Sequence, residues 1–197
     1  NNTYDNYMDG YLSEMHYVDG QQLTPASFGE TNATTGQWIP KEIKTGNLTY
    51  GNNGFYLPFS GEDSPTAIAD SLEGHAVFAN GNAHTDTSEK KFGTASLQLD
   101  GTGDYLHTNH RSDFEVARSN SESFTLECWV KLDLHDDQET FMALSDSGST
   151  LWRFRNYHGN GLSFQVYSSG SLIVDVSGAE IADTNWHHVA LVKEGKN

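Results

Sequence analysis

Short segments in which apolar and polar residues alternate recur about every ten residues from residue 92 onward, and they constrain the fold more than any other feature. A period of two residues is typical of a β-strand with one face buried. The predicted strands span residues 11–18, 97–99, 105–107, 124–134, 141–144, 151–154, 162–167, 172–176 and 186–192. Glycine-rich turns join several of them. Many short strands joined by hairpin-type turns predict an all-β fold, an antiparallel β-sandwich or jelly roll. Residues 65–72 are the best candidate for a helix, of about two turns.

The charge and the cysteine content exclude several classes of protein. Asp and Glu number 27 against 11 Lys and Arg, which gives a net charge of −16. Such a chain repels phosphate, so we expect neither a nucleic acid nor a membrane surface as a partner. A single cysteine, Cys128, rules out a disulfide within the chain and is interpreted as a small buried side chain, with a catalytic thiol as the alternative. No apolar run reaches the length of a membrane span.

Four ordered motifs resemble a known family. They are residues 92–101 (FGTASLQLDG), 103–106 (GDYL), 124–131 (FTLECWVK) and 185–192 (NWHHVALV). Together they resemble the laminin G-like jelly-roll branch of the concanavalin A-like lectin/glucanase superfamily. The resemblance implies a sandwich of two antiparallel sheets, in which some relatives bind Ca²⁺ and others are glucanases.

The first sixty residues resemble other parts of large tandem proteins. Residues 8–15 (MDGYLSEM) resemble the closing strand of a laminin G-like domain. Residues 36–41 (GQWIPK) and 53–59 (NGFYLPF) resemble linkers in tail fibres and other virion appendages of marine bacteriophages. Pro58 argues against a central position in a sheet for the second of these.

The order of these motifs leaves two arrangements open. In the first, the chain is a segment of a protein with tandem domains. Residues 1–61 are then the C-terminal strands of an upstream domain with a linker, and residues 62–197 are a C-terminally incomplete jelly roll. In the second, residues 1–30 supply closing strands to the sandwich of residues 62–197, in cis or from a neighbouring chain. The second arrangement requires residues 9–18 to pair with the region of residues 92–106.

Aromatic and polar residues on one predicted strand and its following turn are candidates for carbohydrate binding. They are Trp152, Asn156, Tyr157 and His158. Sugar C–H faces pack on aromatic rings, and sugar hydroxyls need hydrogen-bond donors and acceptors. An ordinary amphipathic strand with an exposed turn is the alternative. Trp129 and Trp186 are interpreted as core residues, with sugar stacking as the alternative.

Two acidic residues are candidates for a metal site. Asp100 and Asp104 bracket a glycine-rich turn whose carbonyl and carboxylate oxygens suit Ca²⁺, and this is the only cofactor that the sequence suggests. Stabilisation of the turn by the same carboxylates is the alternative. His187 and His188 are adjacent on a predicted strand and therefore point to opposite faces, which argues against a shared metal ion.

The expected function is recognition without catalysis. No pair of carboxylates has the spacing of a glucanase strand, so the chain is not expected to be an enzyme. The resemblances imply a carbohydrate-recognition or adhesion module on a phage virion, outside cells, that binds host cell-surface polysaccharide. Its other expected partners are virion proteins, including copies of itself in a homo-oligomer. The alternatives are a purely architectural virion protein and, third, a glycoside hydrolase.

Overall fold

The structure, a computed structural model, describes residues 7–41, 43, 48–65, 68–72, 74–109, 111–115, 121–133, 138–146 and 149–196. The strands are β1 (Asp9–Asp19), β2 (Gly29–Thr31), β3 (Trp38–Pro40), β4 (Phe55–Leu57), β5 (Val77–Asn80), β6 (His84–Asp86), β7 (Ser96–Asp100), β8 (Tyr105–Thr108), β9 (Phe124–Leu132), β10 (Gln138–Asp146), β11 (Ser149–Tyr157), β12 (Gly161–Ser168), β13 (Ser171–Ser177) and β14 (His187–Lys193). Short 3-10 turns lie at Pro25–Ser27 and Arg111–Phe114. Within the described residues, no helix combines the length and the apolar character that crossing a bilayer requires.

Two antiparallel sheets form the body of the protein, as predicted. The first sheet has the order β14-β9-β1-β7-β6, with β4 also paired to β1. The second sheet has the order β10-β11-β12-β13. Two-stranded ribbons, β2 with β3 and β5 with β8, complete the described architecture. The fold is therefore the all-β antiparallel sandwich that the alternating segments indicate.

The main hydrophobic core lies between the two sheets. Apolar side chains from β1, β7 and β9 in the first sheet meet those from β10, β11 and β12 in the second. Phe124 of β9 contacts Phe164 of β12 with 6.2 Å between ring centroids. Cys128 is 2% exposed within this core, as predicted, and burial raises the pKa of its thiol. Interdigitated side chains of this kind supply most of the stability of a sandwich.

Strand β1 occupies the centre of the first sheet, although it comes first in the chain. It pairs with β7 on one side, where Gly10 lies opposite Leu99, and with β9 on the other, where Gly10 lies opposite Leu132. Gly10 has φ of 142°, and a Cβ atom there would lie 2.1 Å from the carbonyl oxygen of Lys131. Only glycine fits between the two neighbours at this point.

The pairing of β1 with β7 is the one that the second arrangement requires. Residues 9–19 complete the sheet in cis and are not separated from it by solvent. The division of the chain at residues 61 and 62 itself stays a prediction.

Residues 65–72 do not form the predicted helix in their described part, which omits residues 66 and 67. The carboxylate of Asp70 accepts hydrogen bonds from the backbone N–H groups of Tyr56, Leu72 and His75. Asp side chains commonly stabilise turns in this way, in competition with helix formation. The helix prediction was therefore wrong, because the hydrogen bonds to the Asp70 carboxylate stabilise a turn more than this short segment stabilises a helix.

The segments around residues 97–99 and 105–107 do not form a hairpin with each other. Strand β7 belongs to the first sheet, whereas β8 pairs with β5. The glycine-rich turn between them is therefore a corner that connects the first sheet to the β5–β8 ribbon.

Strand β9 is buried on both faces, although its alternation of apolar and polar residues predicted one buried face and one exposed face. Its inward side chains join the main core, while Thr125, Glu127 and Trp129 on the opposite face are also buried. A second small core formed by Val18, Phe28 and Tyr50 lies against this opposite face. The polar-looking face of β9 is thus covered by the chain between β1 and β4.

Candidate functional site

A cleft rich in tryptophan lies on the outer face of the first sheet. Three chain segments meet there: β9 and β14 supply its floor, and the β2–β3 ribbon supplies one wall. The cleft has a volume of about 620 Å³. Its lining residues are Pro25, Gln37, Trp38, Ile39, Lys91, Trp129, Trp186 and His188. We refer to these eight residues as the tryptophan cleft.

The ring of His188 organises the aromatic side of the cleft. It stacks on Trp129 with 5.1 Å between ring centroids and on Trp38 with 6.1 Å, at 28° in both cases. Trp129 is 3% exposed, whereas Trp38 is 36% exposed. Trp38 is therefore the most exposed of the three rings, and His188 stacks on both Trp38 and the buried Trp129.

The position of Trp38 depends on a glycine in the neighbouring strand. Thr31 pairs with Trp38, and Gly29 pairs with Pro40. A Cβ atom on Gly29 would lie 2.4 Å from the Trp38 indole. The indole can lie directly on the backbone of β2 because glycine has no side chain there.

Polar and charged groups border the aromatic rings. The Trp186 indole N–H donates to Glu89 Oε1 over 2.8 Å, and Lys131 Nζ donates to Glu89 Oε2 over 2.7 Å. The ammonium group of Lys91 lies 4.7 Å from the centroid of the Trp129 ring. The cleft thus combines flat apolar faces with donors and acceptors at its rim, a combination that suits a sugar ring.

A buried polar network lies directly beneath the cleft. Nε2 of His188 lies 2.5 Å from Glu127 Oε1, and Nε2 of His16 lies 3.8 Å from Glu127 Oε2. Nδ1 of His16 is 2.7 Å from the Tyr50 hydroxyl, and its ring stacks on Tyr56 at 4.3 Å. The network links the cleft floor to the chain segment that covers β1.

Burial shifts the ionisation of this network. It raises the pKa of Glu127 to about 7, although the hydrogen bond with His188 acts in the opposite direction. It lowers the pKa of His16 to about 3, helped by the charge of His188. The pKa of Glu14 is also raised by burial, while a hydrogen bond from Tyr56 works against the shift. The environment disfavours charge at all three buried groups.

From this network we expect the difference in stability between the parent chain and the Glu127→Gln variant to depend on pH. The folded-state pKa of Glu127 is raised, so its contribution to stability is fully present below the ordinary value of 4.5 and is lost as the pH rises through about 7. A glutamine does not titrate. Thermal unfolding of both proteins between about pH 5 and about pH 8 should therefore show the variant gaining stability relative to the parent, by at most about 3 kcal/mol.

Glu122→Gln is the matched control for this experiment, because it makes the same chemical change at an exposed position. Its stability relative to the parent should change little over the same range. A Glu127→Gln variant that behaves like Glu122→Gln would show that the Glu127 carboxyl is not disfavoured as a charge.

The structure separates the four residues that the sequence suggested for sugar binding. Trp152 is 2% exposed, and its indole N–H donates to the Phe114 carbonyl over 2.7 Å. Asn156 is 2% exposed, and its amide bonds both the N–H and the carbonyl of Ile181. These two side chains face the interior, so they present no surface to a ligand.

The other two predicted residues lie at the surface, at the turn after β11. Tyr157 is half-buried, with its ring 4.6 Å from the guanidinium carbon of Arg155. Nδ1 of His158 lies 3.0 Å from Glu180 Oε1. The four residues thus do not share a surface, and sugar binding by Tyr157 and His158 stays a prediction.

The carboxylates of Asp100 and Asp104 hold the corner between β7 and β8. Asp104 is 2% exposed and accepts hydrogen bonds from the N–H groups of Asn82 and Asp100. Asp100 accepts the N–H of Thr102 over 2.9 Å. Both carboxylates thus stabilise the turn, as in the alternative interpretation, and Ca²⁺ binding by Asp100 and Asp104 stays a prediction. No group of three or more His, Cys, Asp or Glu side chains in the described part of the chain is arranged to hold a metal ion.

The adjacent histidines point to opposite faces, as predicted. His187 Nε2 lies 2.7 Å from Asp183 Oδ1, whereas His188 takes part in the tryptophan cleft. Trp38 was not among the residues that the sequence suggested for ligand binding. One feature of the sequence could have indicated its role. Trp38 lies in a polar segment without an alternating pattern, so core packing in a strand does not account for it.

Comparison with known proteins gives one family match. Residues 100–197 match the family model described as the Concanavalin A-like lectin/glucanases superfamily, of laminin G type. This stretch, just under half of the chain, is therefore similar to concanavalin A-like domains, and the observed antiparallel sandwich is consistent with that fold. At the level of the superfamily, such a domain fits a carbohydrate-binding or adhesion module. No curated protein and no solved structure matches the chain.

Proposed function

We propose that the protein is a non-catalytic carbohydrate-recognition module that binds saccharide in the tryptophan cleft. The partly exposed indole of Trp38, which lines the cleft and stacks on His188, is the observation that carries the proposal. A sugar ring stacked on Trp38 would have Gln37, Lys91 and His188 within the same cleft as hydrogen-bonding groups. Rigid strands support the floor, and a short ribbon supplies the wall, which favours a preformed site.

The arrangement of acids supports binding rather than hydrolysis. Glycosidases act with two carboxyl groups placed on either side of a bound sugar. Glu127 lies beneath His188 with 1% of its side chain exposed, and the rim carboxylate of Glu89 is bonded to Trp186 and Lys131. The described residues therefore place no pair of free carboxyl groups across the cleft. A reducing-sugar assay on ligands that bind should therefore detect no release above the level of a Trp38→Ala control.

The proposed setting is an appendage of a marine bacteriophage virion, outside cells, with a host cell-surface polysaccharide as the ligand. The support is the likeness of residues 36–41 and 53–59 to linkers of tail-fibre proteins. Trp38, the exposed ring of the cleft, lies in the first of these segments. Other virion proteins, including copies of this chain in a homo-oligomer, would be its partners there.

Substitution of Trp38 tests the proposed site. A panel of neutral and acidic oligosaccharides and host polysaccharide is screened first, and the tightest binder is titrated by calorimetry. Trp38→Ala should weaken binding about tenfold or more, because the loss of one stacked ring costs on the order of 1 kcal/mol or more.

Phe78→Ala is the matched control, because Phe78 is a 44% exposed aromatic residue outside the cleft. It should leave the affinity unchanged. Equal affinities for the parent and Trp38→Ala, or no binding at millimolar sugar, would contradict the proposal.

One observation favours the alternative of a purely architectural virion protein. Strand β13 is exposed along its whole length and carries Leu172, Ile173, Val174 and Val176 at 38–59% exposure. It pairs with β12 on one side and forms an edge of the second sheet. Apolar edge strands are prone to pair with other chains. Light scattering that shows a stable oligomer in the parent but a monomer in Val174→Lys, together with no sugar binding, would favour this alternative.

A further inference from the structure

The outer face of the second sheet carries two neighbouring arginines. Arg153 and Arg155 are two residues apart on β11, so their side chains project to the same side of the sheet, opposite to Trp152 and the core. Arg153 pairs with Gln165 of β12, and Arg155 pairs with Ser163. Two positive charges are thus placed side by side in a chain with a net charge of −16.

One neutral oxygen holds both guanidinium groups. Arg153 Nε donates to Gln165 Oε1 over 3.0 Å, and Arg155 Nη2 donates to the same oxygen over 3.1 Å. The Tyr167 hydroxyl also donates to this oxygen, over 2.9 Å, and accepts from Arg153 Nη2 over 3.0 Å. An amide oxygen that receives three donors fixes the position of the two arginines but does not neutralise either charge.

Arg155 has donors that the fold leaves unused. It is 3% exposed, and its Nε and Nη1 atoms have no hydrogen-bond partner within the described residues. The hydroxyl of Ser163, on the neighbouring strand, has none there either. A buried guanidinium with unpaired N–H groups costs free energy, which an oxyanion would recover through charge-assisted hydrogen bonds.

Repulsion from Arg153 adds to the cost of burying the charge of Arg155. Burial and the charge of Arg153 lower the pKa of Arg155, while Tyr167, Tyr157 and Asp175 act against this shift. Asp175 pairs with Gln165 from β13 and is exposed. Tyr157 lies over the guanidinium with 4.6 Å from its ring centroid to the Arg155 Cζ atom. An anion that binds here would relieve the repulsion between the two arginines.

We propose that this face, the arginine face, binds an anionic saccharide through its carboxylate or sulfate group. The oxyanion would bond Arg153 and Arg155, with the Ser163 hydroxyl as a further donor, once the Tyr157 ring moves aside. The rings of Tyr157 and Tyr167 flank the arginines and give the sugar that carries the anion an apolar surface. This site lies on the opposite sheet from the tryptophan cleft and is independent of the function proposed for it.

Calorimetric titrations with three matched ligands test the proposal. Oligogalacturonate, sulfated oligogalactose and neutral oligogalactose are titrated into the full chain at low salt and at high salt. The two anionic ligands should bind at least about tenfold more tightly than the neutral one, and the difference should shrink at high salt. Inorganic sulfate, as a fourth ligand, should bind more weakly than either anionic saccharide.

Substitutions locate the site and separate it from the cleft. Arg153→Gln and Arg155→Gln should each weaken the anionic ligands about tenfold, while Lys90→Gln removes one exposed positive charge elsewhere and should have little effect. Trp38→Ala should leave this binding intact. Arg153 is only partly buried, so Arg153→Gln keeps the test decisive if Arg155→Gln fails to fold.

Equal affinity for anionic and neutral ligands would overturn the arginine-face proposal. Equal effects of the arginine and Lys90 substitutions, or inorganic sulfate that binds as tightly as the saccharides, would do the same. Loss of all binding in Trp38→Ala would also overturn it, and the function proposed for the tryptophan cleft would then still stand.

Discussion

A chain that lacks residues 1–20 is expected to lose its cooperative unfolding transition. Strand β1 pairs with β9, β7 and β4, so its removal divides the first sheet in the middle. It exposes one edge each of β9 and β7 and leaves β4 without the strand to which it pairs. Tyr17 and Val18 are fully buried, and Leu12 is 3% exposed. Each such side chain contributes about 1.5–3 kcal/mol. Together with the lost backbone hydrogen bonds, this approaches the whole ~5–15 kcal/mol that stabilises a domain.

Circular dichroism during heating and denaturant titration would detect the loss. Addition of a synthetic peptide of residues 7–20 should restore a transition, because the missing strand is recognised by its two flanking strands. A truncated chain that unfolds with the midpoint of the parent would show that β1 is dispensable to the sandwich.

A pair of point substitutions provides the same comparison in the full chain. Leu12→Asp places a charge in the core of β1, whereas Leu172→Asp makes the same change on β13, where the leucine is 46% exposed. The first should destabilise the protein strongly and the second by less than about 1 kcal/mol. Similar losses at both positions would contradict the central placement of β1.

Trp152→Ala is expected to cost about 3–5 kcal/mol, which is the second-largest effect. The indole is 2% exposed between the sheets, and its N–H group is bonded to the Phe114 carbonyl. Its removal would leave a cavity and an unpaired carbonyl. Denaturant unfolding monitored by circular dichroism measures the loss, and Trp152→Phe should lose less because it fills most of the space.

Trp38→Ala is the control for this substitution, because it removes the same side chain from a position that is 36% exposed. It should cost under about 1 kcal/mol. A Trp152→Ala variant as stable as Trp38→Ala would mean that Trp152 is not a core residue, and the carbohydrate-binding interpretation of its ring would regain support.

The strands themselves could be predicted from the sequence, because alternation is a local property. Residues 11–18 and 162–167 were predicted as strands and lie within β1 and β12. Their ends differ by a few residues, since pairing with neighbours extends a strand beyond its alternating segment. The helix at residues 65–72 failed because Asp70 bonds four backbone N–H groups of distant and nearby residues, which no period reveals.

The sequence limited the possible partner strands of β1 but did not identify them. A strand pattern states which side chains share a face and does not state which strand lies beside it. The sequence therefore left two arrangements open for residues 1–30. The pairing of Gly10 with both Leu99 and Leu132 is a long-range register, which no local pattern predicts.

The binding residues were the hardest to predict, for two different reasons. Trp152 could have been placed in the core, because Arg153 and Arg155 occupy the outward positions of the same strand. The tryptophan cleft could not have been predicted from the sequence, since Trp38, Lys91, Trp129 and Trp186 are far apart in the chain and meet only in the folded protein. Their burial also depends on the segment that covers β9, which has no strand pattern of its own.

Hydrogen-exchange mass spectrometry with and without bound oligosaccharide tests most directly whether the tryptophan cleft is the carbohydrate site. Saccharide at a saturating concentration should slow exchange in peptides that cover residues 37–39, on the wall of the cleft, and residues 186–188, at its floor. Slower exchange confined to residues 156–158, or no change in any peptide despite measured binding, would contradict the account.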